Sequence, residues 1–321
     1  MNTTTITVIV VRKWQEAFGI CGFEFRSPDG APLLVFTAGA HIDVRLPGGL
    51  VRQYSLCGDP ALSDRYEIAV LRDEQGRGGS MAFHDQIREG DLVQIGAPRN
   101  HFPLCPQAAR HLLLAGGIGV TPILAMAQSL CTIGASFDMH YCARSRERAA
   151  FAQRLDNAAF RDHIWFHFDD ESADHAFDLE SILGDASAGT HLYVCGPQGF
   201  MEAVLAAARM RGWAEARLHY ECFSGTVAKQ RAETAFQVQI ASSGVLIDVE
   251  PGCSVVEALS RHGVEVVTSC QQGLCGTCMT RVLEGLPDHR DSYLTDEEKA
   301  GGQYFLPCCS RSESPVLVLD L

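Results

Sequence analysis

Three cysteines fall within nine residues in the stretch "SCQQGLCGTCMTRVLEG": Cys270, Cys275 and Cys278 follow the pattern C-x4-C-x2-C. A fourth, Cys308, follows with 29 residues between it and Cys278. This is the plant-type [2Fe–2S] spacing, in which two irons each take two thiolates and one tight loop delivers three of the four. Gly273 and Gly276 let the backbone curl around such a cluster with its amides turned toward the sulfurs. Zinc usually wants paired C-x2-C knuckles, and here one such pair exists with no histidine at ligand spacing beside it. If "LPCCSRS" is extended, Cys309 points away from Cys308 and serves as a packing neighbour. The scattered Cys21, Cys57, Cys105, Cys131, Cys142, Cys222 and Cys253 read as small buried hydrophobes.

A second set of residues suits a dinucleotide. "LLLAGGIGVTPIL" sets Gly116, Gly117 and Gly119 between a strand and a helix that Thr121 caps, with Pro122 at its first position. A helix start with glycine-exposed amides is a seat for pyrophosphate. The full G-x-G-x-x-G fingerprint is absent, because Pro122 stands where the third glycine would be. In "LYVCGPQGFMEAV" a further strand ends on Cys195, Gly196 and Pro197, and open α/β sheets bind ligands beyond such strand ends. Arg144 follows "HYCA", and Asp169 and Asp170 follow "FHF". A carboxylate favours the free ribose hydroxyl of NADH and an arginine favours the extra phosphate of NADPH, so the residues alone leave both open.

A third set lies nearer the N-terminus. "RQYSL" places Arg52, Tyr54 and Ser55 on an alternating strand, and "GRGGSMAFHD" places Gly78, Gly79 and Ser80 at a helix start. Arginine, hydroxyls and free amides suit a phosphate, and a tyrosine can lie along an aromatic ring system.

The elements that must hold these residues follow from periodicity. Residues 1–104 give short alternating segments between Gly, Pro and Asp turns, the pattern of a small antiparallel barrel. Residues 105–228 alternate buried strands with helices, as a parallel α/β sheet does. The apolar pattern lapses at about 224–235, a linker, and residues 229–321 hold two alternating strands, a short helix, the cysteine loop and a last strand "PVLVLDL".

Composition narrows the setting. The longest apolar run, "LLLAGGIGVTPILAMA", is broken by glycines and a proline and is a poor membrane span. A net charge of −13 argues against nucleic acid and anionic membranes as partners. Thirteen cysteines are diluted over 321 residues, and "MNTTTITVIVVRKW" lacks a basic head followed by a long apolar stretch, so the expected setting is reducing and cytoplasmic.

Taken in order, "RQYSL", "RGGS", "AGGIGVTP", "HYCARSRERAAF", "CGPQGFM" and the C-terminal cysteine loop resemble the phthalate dioxygenase reductase family, within the ferredoxin–NADP reductase superfamily. The likeness runs along essentially the whole chain, with the ferredoxin module last. It implies a multidomain α+β and α/β fold: an antiparallel β-barrel flavin domain, a parallel α/β nucleotide-binding domain and a C-terminal β-grasp ferredoxin domain. It implies FMN held by Arg52, Tyr54, Ser55, Gly79 and Ser80, and NADH over Gly117, Thr121 and Cys195. Phe223 of "HYECF" would cover the flavin, although Cys222 stands where the family often has a second aromatic; Thr121, Cys195 and Phe223 are the residues assigned to catalysis. The "LPCCSRS" ending resembles the family's cysteine-x-Ser-Arg close and favours Cys308 as fourth ligand. The family preference for NADH favours Asp169 over Arg144.

A hydride carries two electrons and a [2Fe–2S] cluster takes one, so the expected order is NADH, FMN, cluster, then an acceptor. The resemblance implies that this acceptor is the terminal Rieske-type oxygenase of a two-component system acting on an aromatic acid or similar small substrate. Residues 236–321 hold twelve Asp or Glu against five Lys or Arg, a net of −7, which suits steering toward a basic patch as well as it suits solubility. A non-catalytic electron-transfer or redox-sensing subunit is the competing reading, opposed by the intact nucleotide motifs. His163 and His167 invite a metal, but four residues of strand span about 13 Å, too far for one ion. His84 and Asp85 lack a nucleophile and read as helix-surface polarity.

Overall fold

The computed structural model describes residues 5–76, 78–170, 177–184, 189–223, 234–268, 271, 273, 276–291 and 293–321. They divide into two compact units, Met1–Cys222 and Phe223–Leu321. In the first, β1 (Thr5–Ala17) and β2 (Ile20–Arg26) pair antiparallel. They are followed by β3 (Ala40–Arg45), β4 (Val51–Ser55), β5 (Tyr66–Leu71), helix α1 (Gly79–Gln86), β6 (Leu92–Gly96) and β7 (Arg99–Asn100). The sheet order is β4-β3-β6-β1-β2-β5, with β7 on β3. Its end strands β4 and β5 lie close together, closing the expected barrel. Register shifts after Val10 and Gln15 in β1 supply the bend that closure needs. Alternate residues point inward, so Val8, Phe23, Phe25, Ile42, Val44 and Ile68 fill one apolar core.

The same unit continues with β8 (Arg110–Gly116), α2 (Val120–Thr132), β9 (Phe137–Ala143), α3 (Ala152–Asp156) and β10 (Ile164–Phe168). It ends with α4 (Leu179–Leu183), β11 (Thr190–Cys195), α5 (Gln198–Met210) and β12 (Leu218–Glu221). The five strands are all parallel, in the order β10-β9-β8-β11-β12. Strand β8 is apolar along most of its length because helices and loops cover both its faces. The chain leaves β8 toward β9 and β10, then returns to β11 on the other side. The crevice of an open sheet lies at such a reversal, beyond β8 and β11.

The second unit holds β13 (Phe236–Ile240), β14 (Leu246–Val249), α6 (Val255–Arg261), β15 (Thr280–Glu284) and β16 (Pro287–Asp288). After these come α7 (Asp296–Gly301), β17 (Tyr304–Phe305), β18 (Arg311–Ser312) and β19 (Val316–Leu319). The main sheet is mixed, in the order β14-β13-β19-β15-β17, with β13 and β19 parallel; β16 pairs with β18. Ser254 caps α6 in a reciprocal box with Glu257, and Val255, Ala258 and Leu259 bury its inner face against the sheet, a β-grasp arrangement. The expected linker falls mainly on residues 224–233, outside the described residues.

Candidate functional site

The loops after β8 and β11 are pressed together so closely that only glycine fits. A Cβ on Gly119 would lie 2.2 Å from the Cys195 carbonyl oxygen, and one on Gly196 would lie 2.9 Å from the Gly116 Cα. Gly117, by contrast, has φ +53 and open space where a side chain would stand, so the turn borders a crevice. A 3-10 turn over Gly117–Gly119 precedes α2, which begins at Val120. Thr121 therefore does not cap the helix as expected. It is the second helical residue, its Oγ1 donates to the Ile118 carbonyl at 3.1 Å, and Pro122 is third rather than first. Cys195 is fully buried, and desolvation pushes its thiol well up, so what it brings to the crevice is packing and a carbonyl, with no reactive thiolate.

Arg144 and Asp169 follow the neighbouring strands β9 and β10, and the Asp169 amide donates to the Ala143 carbonyl at 3.1 Å. Both side chains are exposed at the same edge of the crevice face. Elsewhere on this sheet His167 Nε2 meets His140 Nδ1 at 3.0 Å, while His163 Nδ1 stands 4.0 Å from Asp138, so the two rings have different partners. His84 meets the Val70 carbonyl at 2.8 Å and Asp85 pairs with Arg72 at 2.7 Å.

In the barrel, α1 begins at Gly79 after Gly78, whose φ of +75 turns the chain into the helix. A Cβ on Gly79 would lie 2.6 Å from Arg52 Nε, so this glycine lets the guanidinium lie against the helix start. Arg52 and the free amides of the first turn make one positive seat. Ser80 Oγ accepts from the Asp73 amide at 3.0 Å and so braces the loop before the helix. Tyr54 packs edge-on against Phe83, ring centres 5.0 Å apart, and burial keeps its phenol protonated.

Ser55 leads to residues that spacing did not single out. Its Oγ donates at 3.0 Å to Oε2 of Glu221, the last residue of β12, and so ties the barrel to the parallel sheet. Burial raises the Glu221 carboxyl from 4.5 to about 7, against the lowering effect of the Ser55 hydrogen bond. His41, opposite Ser55 in the β3–β4 register, has Nδ1 4.0 Å from Glu221 Oε1. Burial first, then Arg99 and His101, push His41 down to about 4, so its ring is neutral and the contact is no ion pair. The signal was present in "LHYECF", where a carboxylate interrupts an otherwise half-buried strand end.

In the second unit, Cys270 and Cys275 lie outside the described residues. Cys278 and Cys308 are buried with Leu294 and Leu306. Hydrogen bonds from the Cys278 and Cys309 thiols, and then from the Gly273 amide, hold Cys308 well below the ordinary thiol range. Gly273 and Gly276 have φ of +73 and +66, and a Cβ on Gly276 would lie 2.2 Å from the Tyr293 ring. A loop that only glycine permits, two inward thiols and an amide aimed at sulfur fit a thiolate-bound cluster. One expectation is corrected. Pro307–Cys309 form a turn, closed by Cys309 N to Leu306 O at 3.1 Å, so the segment is not extended and the two adjacent thiols hydrogen-bond instead of diverging, while Cys309 does pack against the Cys278, Leu294, Leu306 and Cys308 group. Of the scattered cysteines, Cys57 and Cys253 are buried; Cys21, Cys105, Cys131, Cys142 and Cys222 are only half-buried. Phe223 is half-buried at the start of this unit. Among the described residues no helix is long and apolar enough to cross a membrane.

The chain is similar to known proteins over nearly its whole length. The model of the dimethylamine monooxygenase subunit DmmA-like N-terminal domain matches residues 98–218, and that of the 2Fe-2S iron-sulfur cluster binding domain matches residues 238–313. A vanillate O-demethylase oxidoreductase from Pseudomonas putida is 51% identical over 317 residues, covering 98% of this chain and 100% of its own. A phthalate dioxygenase reductase from Burkholderia cepacia is 41% identical over 314 residues, covering 97% and 96%. The solved structure of phthalate dioxygenase reductase, described as modular for electron transfer from pyridine nucleotides to [2Fe-2S], matches with a TM-score of 0.81 at 40% identity, over 99% of this chain and 98% of that one.

Proposed function

Because the chain belongs to the phthalate dioxygenase reductase family, we propose that it is the NADH-dependent reductase of a two-component system whose terminal Rieske-type oxygenase acts on an aromatic acid or similar small substrate. The enzyme is a flavin and [2Fe–2S] oxidoreductase. The observation that carries the finer reading is that one chain holds both the glycine crevice at β8 and β11 and the buried Cys278–Cys308 pair, a two-electron and a one-electron site. The chemistry a bound flavin supplies is conversion of a hydride into single electrons.

The chain's own residues position these groups. Arg52 and the first amides of α1 would hold a flavin phosphate, and Tyr54 would flank its ring system. Gly117 would leave its turn open to a pyrophosphate, and Thr121 and Cys195 would shape the floor of that crevice; Phe223 is the residue the family resemblance assigns to the flavin. Asp169 would receive the ribose hydroxyls, and Arg144 borders the same edge. Glu221, its carboxyl raised to about 7 by burial, accepts a hydrogen bond from Ser55. Cys270, Cys275, Cys278 and Cys308 would ligate the cluster. No acid–base residue is needed for the hydride itself, so orientation is the main contribution.

The names of the relatives, which pair reductases with vanillate demethylation and phthalate dioxygenation, support an aromatic-acid system. The test is NADH-driven reduction of cytochrome c by protein loaded with flavin and iron, followed by electron delivery to a candidate oxygenase. Steady turnover is expected. Fully loaded protein that fails to oxidise NADH would overturn the enzyme reading in favour of a redox-sensing subunit.

A further inference from the structure

The turn over Pro307–Cys309 brings a fifth thiol to the cluster loop. Cys309 N and Ser310 N both donate to the Leu306 carbonyl, at 3.1 and 2.9 Å, and this tight reversal sets the Cys308 and Cys309 sulfurs beside each other. The Cys309 sulfur also lies against the loop that carries the other ligands. A Cβ on Gly273 would approach it to 2.5 Å, so the sulfur occupies the space a side chain at 273 would take. Its other polar contacts are long, 3.7 Å to the Leu306 carbonyl and 3.8 Å to Ser310 Oγ, and are easily given up. Leu294, Leu306, Val256 and Val266 pack around the group, an apolar setting for a thiol.

Resting on the iron–sulfur reading above, we propose that the fourth cluster ligand is interchangeable between Cys308 and Cys309. Iron in such clusters prefers thiolate to hydroxyl or water, so loss of one sulfur leaves the neighbouring sulfur as the best replacement. The exchange is neutral. One Fe–S bond forms and one breaks, the incoming thiol's proton passes to the outgoing sulfur, and no electron moves.

The test compares the full chain with Cys308→Ala, Cys309→Ala and the double variant, purified anaerobically. Readouts are iron and labile sulfide per chain and the paramagnetic resonance spectrum after dithionite, with flavin content and circular dichroism reporting folding. Cys308→Ala is expected to keep most of its iron with a shifted spectrum, Cys309→Ala to match wild type, and the double variant to lose the cluster. A folded Cys308→Ala protein without a cluster would overturn the proposal. Where that variant does not fold, Cys308→Ser decides. A spectrum that changes when Cys309→Ala is added means sulfur had taken the site; an unchanged spectrum means it had not, and the proposal fails. A wild-type chain that never acquires a cluster would sink the underlying iron–sulfur reading instead.

Discussion

Glu221 is the residue whose chemistry is most displaced by its surroundings and still near neutrality. Its carboxyl is raised by burial to about 7 from 4.5, so the folded state keeps a proton that the unfolded chain releases. The stability this proton contributes is complete below pH 4.5, declines as pH rises toward 7, and is lost once the folded carboxyl ionises. Glu221→Gln carries no charge at any pH, so its stability relative to wild type is expected to improve by about 3 kcal/mol across that window, and thermal melts at a series of pH values check this. Ser55→Ala removes the hydrogen bond that opposes the shift, and should move the wild-type inflection to higher pH. If both variants and wild type give parallel pH profiles, the buried proton is not there. Ser55 was singled out from "RQYSL", but its partner lies 166 positions away. Local spacing cannot report such a pairing, because the contact exists only once a barrel strand and the last parallel strand are assembled.

At the scale of elements, strands were legible wherever alternation or a continuous apolar run set their faces, as in β1 and β8. The details of the β8–α2 turn were not. Thr121 and Pro122 have the residue types of a cap and a first helical position, yet the 3-10 turn before Val120 advances the helix start. What fixes that turn is the neighbouring strand end, since Gly119 must clear the Cys195 carbonyl. Gly119 has an ordinary helical φ of −62, so its requirement is for space alone. Gly119→Ala is therefore expected to wedge the two loops apart, costing about 3 kcal/mol, at the upper end for an overpacked site, and roughly 6–10 °C in Tm. The same wedge opens the crevice, so KM for NADH should rise about tenfold, equivalent to some 1.4 kcal/mol of binding. Gly199 is the control: it lies in the first turn of α5 with open space around it, and Gly199→Ala should leave both quantities unchanged or slightly improved. A Gly119→Ala protein that melts and binds like the Gly199→Ala protein would show that the close approach is not a constraint.

For the whole molecule, the cysteine spacing was the most legible feature, because a C-x4-C-x2-C run with a distant fourth cysteine can be read whatever the rest of the fold does, and the iron–sulfur domain match falls on that segment. The division into units is equally a matter of cores, since Val8 to Ile95 and Phe236 to Leu319 fill separate apolar interiors. Charge is a property at this scale too. The chain carries −13, and residues 236–321 carry a net of −7 from twelve acidic and five basic residues. Long-range attraction to a basic acceptor raises association rates by about 10- to 1000-fold at low salt and fades as the Debye length falls from about 10 Å at 0.1 M toward 3 Å at 1 M. Glu265, Glu284 and Glu297 are exposed and outside the helix-capping pairs, so replacing all three by lysine takes the segment from −7 to −1 without touching its core. The triple variant is expected to keep its NADH oxidation with a small neutral dye. Its second-order rate of electron delivery to the acceptor oxygenase should fall about tenfold at low salt and lose most of its ionic-strength dependence. Stopped-flow traces across a salt series separate the two cases: equal slopes for variant and wild type would mean that the acidic surface serves solubility and that recognition rests on short-range contacts alone.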